Sequence, residues 1–449
     1  MDVPLLAGLR PDGSAEPEVG ARAARAWLAG GIVGLPTETV YGLAADAQDP
    51  EAVARVYRAK GRPAGHPLIV HVHSGHALAG WSAGPNLAAE RLAEEFWPGA
   101  LTLVVARSAR AGDFITGGQG TVALRSPSHP VAQACLEALV RISGDPARGV
   151  AAPSANRFGR VSPTRAADVL AEVGTRLDPA RDVVVDGGPC AIGVESTIVD
   201  CTATPPRVLR LGAISQAQID AALMGDGVGG ARSGRPALVA GTAGPGADVA
   251  DGSGADGAGV GGAGGDGAGA GVVRAPGTLE SHYAPRAHVH LVEPSASTPA
   301  ELAAVITPPT GAVAAAVRDA AARAAGAAAR DPFSFESLEG SQPARITGGA
   351  PERPGTPERA GGPERPGTPA VAGGVGLVGP SHVATPPGWT RLAAPTTAAE
   401  YARDLYAALR RADELQLANV VAILPDPAGG ALALAVRDRL ARAAHQERA

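Results

Sequence analysis

Two tracts constrain how this 449-residue chain can fold, because neither can pack. Residues 223–276 include GDGVGGARSGRPALVAGTAGPGADVADGSGADGAGVGGAGGDGAGAGVV, mostly Gly, Ala, Asp and Val. Such a stretch has little apolar area to bury and much backbone entropy to lose, so a flexible linker is expected. A second tract, 334–387, carries a six-residue repeat, PERPGT-PERAGG-PERPGT at 351–368. It is too short and proline-rich for a solenoid and is expected to be a disordered insertion. The folded parts must lie around these tracts. The length predicts two or three domains, placed at 1–222 and 288–449 with a linker over 223–287.

Residues 1–222 alternate strand-length apolar runs with helical patterns, as a mixed α/β domain does. GIVGLP (31–36), LIVHV (68–72), LTLVVA, TVALR, VVVD, STIVD and RVLRL read as strands rich in β-branched residues. Asp49-Pro50 opens the helix EAVARVYRAK, with Asp as cap and Pro at the first helical position. Asn86 caps LAAERLAEEFW, and Pro98-Gly99 ends it. Further on, HVHLVEP and GAVAAAV are candidate strands and Thr397 caps the amphipathic AAEYARDLYAALRRADEL. NVVAILP and ALALAVRDRLARAA follow as a buried strand and a last helix, which predicts a small three-layer α/β unit.

Hydrophobic residues make up 45% of the chain, enough for cores, and the formal net charge of -5 argues against a bulk nucleic-acid binder. Cys135, Cys190 and Cys201 are odd in number and form no C-x-x-C pair, so reduced cytosolic thiols without a zinc module are expected. No signal-peptide pattern and no apolar run of membrane-spanning length is present, which predicts a cytoplasmic protein.

The chemistry concentrates in a few polar segments at strand ends, where sites are usually built. In LPTETVYGL (35–43), Thr37 and Thr39 flank Glu38 and read equally as a turn with helix-capping threonines. In AKGRPAGHPLIVHV (59–72), Lys60 and Arg62 end a helix and suit its dipole. Yet Lys60 is the one lysine in a chain whose Lys and Arg together number 39. An arginine would serve the dipole equally, whereas a flexible ammonium reaching a phosphate is not replaced by a planar fork. His66 and His71 read as packed core histidines. Arg125 in TVALRSPSHP (121–130) is either a surface charge or a strand-end site residue. In AAPSANRFGRVSPTRAADVL (151–170), Ser154 and Asn156 lie in a tight loop, and Ser162 or Thr164 can cap the next helix. DGGPCAIGVESTIVD (186–200) presents Glu195-Ser196-Thr197 at a strand start, and RVLRLG offers Arg210. P-loop, G-x-G-x-x-G, H-E-x-x-H and nucleophile-elbow patterns are absent. A cationic, hydroxyl-rich set without an activated nucleophile suits polyphosphate and carboxylate handling by positioning and charge stabilisation.

LPTETVYGLAADA, KGRPAGHPLIVHV, EEFWPGALTLVV, TVALRSPSHPV, APSANRFGRVSPT and GGPCAIGVESTIVD, in this order, resemble the YrdC-type threonylcarbamoyl-AMP synthases. The resemblance is strong over about 15–222. SHYAPRA (281–287) is similar to the interdomain linker of the two-domain form, and EYARDLYAALRRAD and LAVRDRLARAA to its accessory domain. The resemblance implies a twisted mixed sheet with helices around a concave cavity, a long linker and a small Rossmann-like C-terminal domain. It implies synthesis of L-threonylcarbamoyladenylate and pyrophosphate from threonine, bicarbonate and ATP. The product would pass to a threonylcarbamoyl transferase complex for N6-threonylcarbamoyladenosine at position 37 of tRNAs reading ANN codons. Thr37, His71, Arg125 and Ser196 match threonine-holding positions. Lys60, Arg62, Thr121, Ser154, Asn156, Ser162, Arg210 and the linker Tyr283 match nucleotide positions, with Lys60 and Arg62 expected to be catalytic and Tyr283 to act as a lid. Mg2+ is expected on the ATP phosphates rather than on protein side chains. His66 stands where many relatives carry Asn, and the linker is longer than is usual in the family.

Three other readings compete. An RNA-binding module would use the basic concave surface and bind tRNA, which the acidic balance disfavours. Carbamoyl transfer in hydrogenase maturation would need zinc-finger and acylphosphatase modules that three scattered cysteines do not supply. A regulator binding nucleotide and threonine without turnover would not require the intact K-x-R, S-x-N and E-S-T segments.

Overall fold

In a computed structural model, residues 2–224, 283–295, 298–306 and 374–445 are described. Most of the expected linker, the candidate strand GAVAAAV and the PERPGT repeat lie outside them. The first part forms ten strands: β1 (Leu5–Ala7), β2 (Val33–Leu35), β3 (Gly42–Asp46), β4 (Ile69–Val72), β5 (Leu101–Ala106), β6 (Thr121–Arg125), β7 (Gly149–Ala151), β8 (Val183–Asp186), β9 (Thr197–Asp200) and β10 (Arg207–Arg210). They join one mixed sheet in the order β1-β8-β2-β3-β7-β4-β6-β5-β9-β10.

Side chains alternate across a strand, so each strand of this sheet faces two environments. Val70, Val72, Leu103, Val105, Val122, Leu124 and Val199 enter a large core that also takes up the helices Pro50–Lys60 and Leu87–Phe96. Ile69, Val104, Ala123 and Ile198 form a small cluster on the opposite face. Parallel pairing of β4 with β6 sets His71 beside Arg125, next along that second face. Register thus delivers two candidate residues together from segments about 50 residues apart.

Helix starts follow the expected chemistry. Asp49 Oδ1 accepts from the N–H groups of Glu51 and Ala52, and Gly61 ends that helix at φ 63°, a conformation open to glycine at little cost. Asn86 and Thr397 cap their helices through Ala89 and Glu400. The expected cap at Ser162 or Thr164 does not form. Arg165 takes the cap position of Ala166–Val173, and the Asp168 carboxylate reaches back to the N–H groups of Thr164 and Arg165. Ser162 is drawn instead to a buried carboxylate.

The second part is a parallel four-stranded sheet of β11 (His288–Val292), β12 (Val375–Val378), β13 (Thr390–Ala393) and β14 (Asn419–Ile423), ordered β11-β14-β12-β13. Helices Ala398–Glu414 and Ala431–Ala444 cover one face and Pro299–Ile306 the other, giving three layers. The expected disordered insertion over 334–387 is corrected here. Val375–Val378 lies inside it, yet it is a buried strand paired with β14 and β13. Burial on both faces needs only a short continuous apolar run, which the surrounding Gly and Pro obscured. No helix among the described residues is long and apolar enough to cross a membrane.

Asp182 ties the edge of the large sheet together. Fully buried, it accepts from the N–H groups of Ile32 (2.8 Å) and Asp178 (2.7 Å) and from Arg55 (2.6 Å). Removing one partner of a buried ion pair costs about 3–5 kcal/mol. Asp182→Ala should therefore lower the first urea-unfolding transition by about that amount; a loss below about 1 kcal/mol would remove Asp182 from this role.

Candidate active site

The connection between β2 and β3 is built by its threonines. Thr37 Oγ1 donates to Val40 O (2.6 Å) and accepts the Thr39 N–H (3.2 Å), closing a tight side-chain turn. The chain then runs into β3, so these threonines cap no helix. Thr39 Oγ1 accepts from Arg125 Nη1 at 2.8 Å, and Arg125 Nε donates to Gly99 O at 3.2 Å. Arg125 also pairs with Glu38 at 2.8 Å, both side chains about 5% exposed or less. Burial alone would raise the Glu38 carboxyl, but the Arg125 guanidinium outweighs it and holds it below the usual range.

Beside this pair, burial and the Arg125 charge push the His71 imidazole down to about 3. His71 is therefore a neutral ring at physiological pH, with Nδ1 3.3 Å from Ile69 O.

Lys60 is 2% exposed at the end of its helix. Its Nζ donates to Ser154 O at 2.5 Å and to Asn156 O, so the ammonium grips the backbone of the Ser-x-Asn loop. Burial, with the Arg62 charge adding to it, lowers its pKa well below the ordinary lysine value. Arg62 Nη2 donates to Pro67 O at 3.0 Å, with its guanidinium 5.8 Å from the Phe158 ring centroid. His66 meets the same ring edge-on at 5.3 Å. Arg62 Nε and Asn156 Oδ1 are buried without a protein hydrogen-bond partner among the described residues.

The third wall comes from β9 and β10. Ser196 Oγ lies 2.7 Å from Thr102 Oγ1 and accepts from Arg210 Nη2 at 3.1 Å, while Arg210 Nε donates to Ser196 O at 3.1 Å. The preceding residue, Glu195, is buried and accepts from Ser162 Oγ (2.8 Å), Tyr406 OH (2.8 Å) and Arg439 Nε (2.9 Å). Burial opposes ionisation, yet Arg439 and Arg210 prevail and bring its carboxyl down to about 2. Tyr283 completes this wall. It is 1% exposed, adopts φ 64° and stacks on Tyr406 at 5.6 Å. Burial, with the Glu195 charge adding to it, pushes its phenol up to about 12.

These walls line a partly open cavity of about 50 Å³. Thr37, His71, Arg125 and Ser196 line it, as do Arg62, Ser154, Arg210 and Tyr283. Lys60, Asn156 and Ser162 stand behind it, each bonded to or carried on a segment that lines it. Thr121 sits at the opposite end of β6 from Arg125, paired with Ala106, and does not reach the cavity. Sequence reasoning passed over Glu38, Thr39, Glu195, Tyr406 and Arg439 as site residues. For Arg439 a signal existed: Val436, Leu440 and Ala443 mark an apolar helix face, and Arg439 falls on it.

A family model described as "Telomere recombination" (Sua5/YciO/YrdC) matches residues 25–212, and one described as "Threonylcarbamoyl-AMP synthase, C-terminal domain" matches 248–445. A threonylcarbamoyl-AMP synthase of Bacillus subtilis is 44% identical over 193 residues, covering 43% of this chain and 53% of the relative. A putative threonylcarbamoyl-AMP synthase of Mycobacterium tuberculosis is 39% identical over 209 residues, 46% of this chain and 91% of the relative. The chain spans about half the length of the first curated relatives it matches. Over 98% of this chain and 97% of the other, the fold resembles the crystal structure of Pyrococcus abyssi Sua5 complexed with L-threonine, with a TM-score of 0.63 and 27% identity.

A neutral buried histidine leaves a pH signature. Unfolded His71 takes up a proton below its ordinary 6.5, while the folded form resists until about 3. Stability from this group is complete above 6.5 and falls with pH by up to about 1.4 kcal/mol per unit within that window. His71→Gln should flatten the fall in stability between about pH 6.5 and 5 by about 2 kcal/mol, read from urea midpoints. Parallel curves for the two proteins would contradict the neutral assignment.

Proposed function

Because this chain belongs to the Sua5/YrdC family of threonylcarbamoyl-AMP synthases, we propose that it makes L-threonylcarbamoyladenylate from L-threonine, bicarbonate and ATP. The supporting observation is one cavity lined from both sides, by the four residues matched to threonine and by Arg62, Ser154, Arg210 and Tyr283 from the nucleotide set. Threonine and bicarbonate first give N-carboxythreonine and water. A carbamate oxygen then attacks the α-phosphorus of ATP, and the bond to the departing pyrophosphate breaks. Arg62 and Arg210 offset the charge that builds on the phosphoryl oxygens.

Other observations favour this reading. Arg62 Nε and Asn156 Oδ1, a donor and an acceptor, are buried without protein partners, an arrangement that costs about 1–3 kcal/mol per group unless a ligand pairs them. At about 50 Å³ the cavity is far below the roughly 300 Å³ or more of a nucleotide-sized site, so substrate entry requires a wall to move. Tyr283 lies outside both sheets, just before β11, and would be the wall that moves for entry and returns for turnover. Mg2+ is assigned to the ATP substrate. Carried on the phosphates, the ion would share the neutralisation of their charge.

Lys60 takes a double role. Bonded to Ser154 O and Asn156 O, it sets the loop before substrate arrives, and turning from one carbonyl lets its ammonium meet a phosphate. The product would pass in the cytoplasm to a tRNA threonylcarbamoyl transferase.

Purified protein with ATP, Mg2+, L-threonine and bicarbonate should yield threonylcarbamoyladenylate by mass spectrometry and threonine-dependent pyrophosphate release. Lys60→Ala should reduce turnover on the order of 100-fold, and Lys60→Arg should recover little of it. Binding of ATP and threonine without either product would overturn the reaction, and near-normal turnover by Lys60→Arg would remove the requirement for an ammonium.

A further inference from the structure

The C-terminal unit does more than flank the cavity. Arg439, on its last helix, is fully buried, and its guanidinium meets three separate segments of the cavity wall. Nε donates to Glu195, the residue before Ser196, at 2.9 Å. Nη2 donates to the carbonyl of Leu211, the residue after Arg210, at 2.9 Å. Its face lies 5.5 Å from the Tyr283 ring centroid. Tyr406, on the other long helix of the same unit, donates to Glu195 at 2.8 Å and stacks on Tyr283. Ser196, Arg210 and Tyr283 all line the cavity, and two residues of the C-terminal unit grip the immediate chain neighbours of the first two and the ring of the third.

We propose that the C-terminal unit is part of the active site, with Arg439 and Tyr406 as positioning residues that hold Glu195, Ser196, Arg210 and Tyr283 in the arrangement turnover requires. This inference rests on the reaction proposed above. A stabilising tie between the two units could sit away from the cavity, as the partly buried pair of Arg410 with Glu172 does at 2.9 Å. Arg439 and Glu195 are instead buried at the cavity, where a lone charge is costly and geometry is tightly set. Glu195 is faced by Arg439 and Tyr406 from the two C-terminal helices, by Arg210 from β10, by Ser162 from its loop and by Tyr283 from the linker end. With Arg439 present the carboxylate stays ionised across the working pH range. Without it, Arg210 and Ser162 remain to oppose burial, and the carboxyl protonates at a higher pH than in the wild type.

The test uses the full chain and four variants. Arg439→Gln should lower kcat on the order of 100-fold and acquire an acid limb between about pH 5 and 7 that the wild type lacks. Tyr406→Phe removes a single hydroxyl, keeps the fold, and should lower kcat about tenfold. Arg439→Lys should fall between wild type and Arg439→Gln. Arg437→Gln, which removes an exposed pair with Glu293 on the same helix, controls for helix damage and should leave kcat and the pH profile unchanged. Titration calorimetry of ATP and of L-threonine is run on each protein, so the outcome does not depend on turnover alone. If Arg439→Gln and Tyr406→Phe lower melting but keep wild-type kcat, KM, pH profile and affinities, the two residues are fasteners only and the proposal is overturned. If the wild type binds both substrates without turnover, the reaction fails. Weakened ATP or threonine affinity in Arg439→Gln would then support this inference, and unchanged affinity would overturn it.

Discussion

A buried carboxylate, ion-paired with one arginine and within the field of a second, organises the third wall of the cavity. Glu195 lies at the entrance to β9, buried beside the cavity, and its charge is tolerable because Arg439 meets it at 2.9 Å and Arg210 lies near. The two carboxylate oxygens collect Ser162 from the 150s loop, Tyr406 from one helix and Arg439 from another. Breaking such a pair from one side costs far more than the pair contributes net, so its value lies in specifying one arrangement. That arrangement sets Ser196, Arg210 and Tyr283 together on one wall. A contact between residues 244 positions apart therefore makes two folding units into one site.

The same economy runs through the other walls. The guanidinium of Arg125 is bonded to Thr39, Gly99 and Glu38 before any ligand arrives, and Arg210 is bonded to both atoms that Ser196 presents. Cations held this way are oriented in advance, so any ligand entering the cavity meets a field already set. Charge stabilisation from groups that need no reorganisation is the strongest device available to an enzyme without a covalent nucleophile. Lys60 is the exception in kind. Its ammonium holds two backbone carbonyls from a single point, a geometry that a forked guanidinium in the same place would not reproduce. That is a physical reason for one lysine in a chain otherwise served by arginine.

Much of this was legible beforehand, and the failures have causes. Strands rich in Val, Ile and Leu announced themselves, as did the helices capped by Asp49, Asn86 and Thr397. β3 and β7, reading GLAAD and GVA, escaped because Ala and Gly carry little strand preference; they are inner strands only because neighbours on both sides pair with them. β12 escaped because a four-residue run beside Gly- and Pro-rich sequence looks like more of the same. Thr121, matched to a nucleotide position by resemblance, shares a strand with Arg125 but stands at its other end, away from the residues that line the cavity.

The sequence alone determined the class of fold, the helix starts at Asp49, Asn86 and Thr397, the family and the inventory of cationic and hydroxyl groups, because each is written in local pattern or in short motifs. It also set His71 and Arg125 in strands whose lengths allow them to meet. Only the tertiary structure decided which of those groups share a cavity, that His71 is neutral, that Lys60 turns to backbone carbonyls, and that Arg439 and Tyr406 stand behind the wall. Those outcomes depend on burial and on pairs far apart in the chain. Burial is a property of everything packed around a group, and no local run of residues carries it.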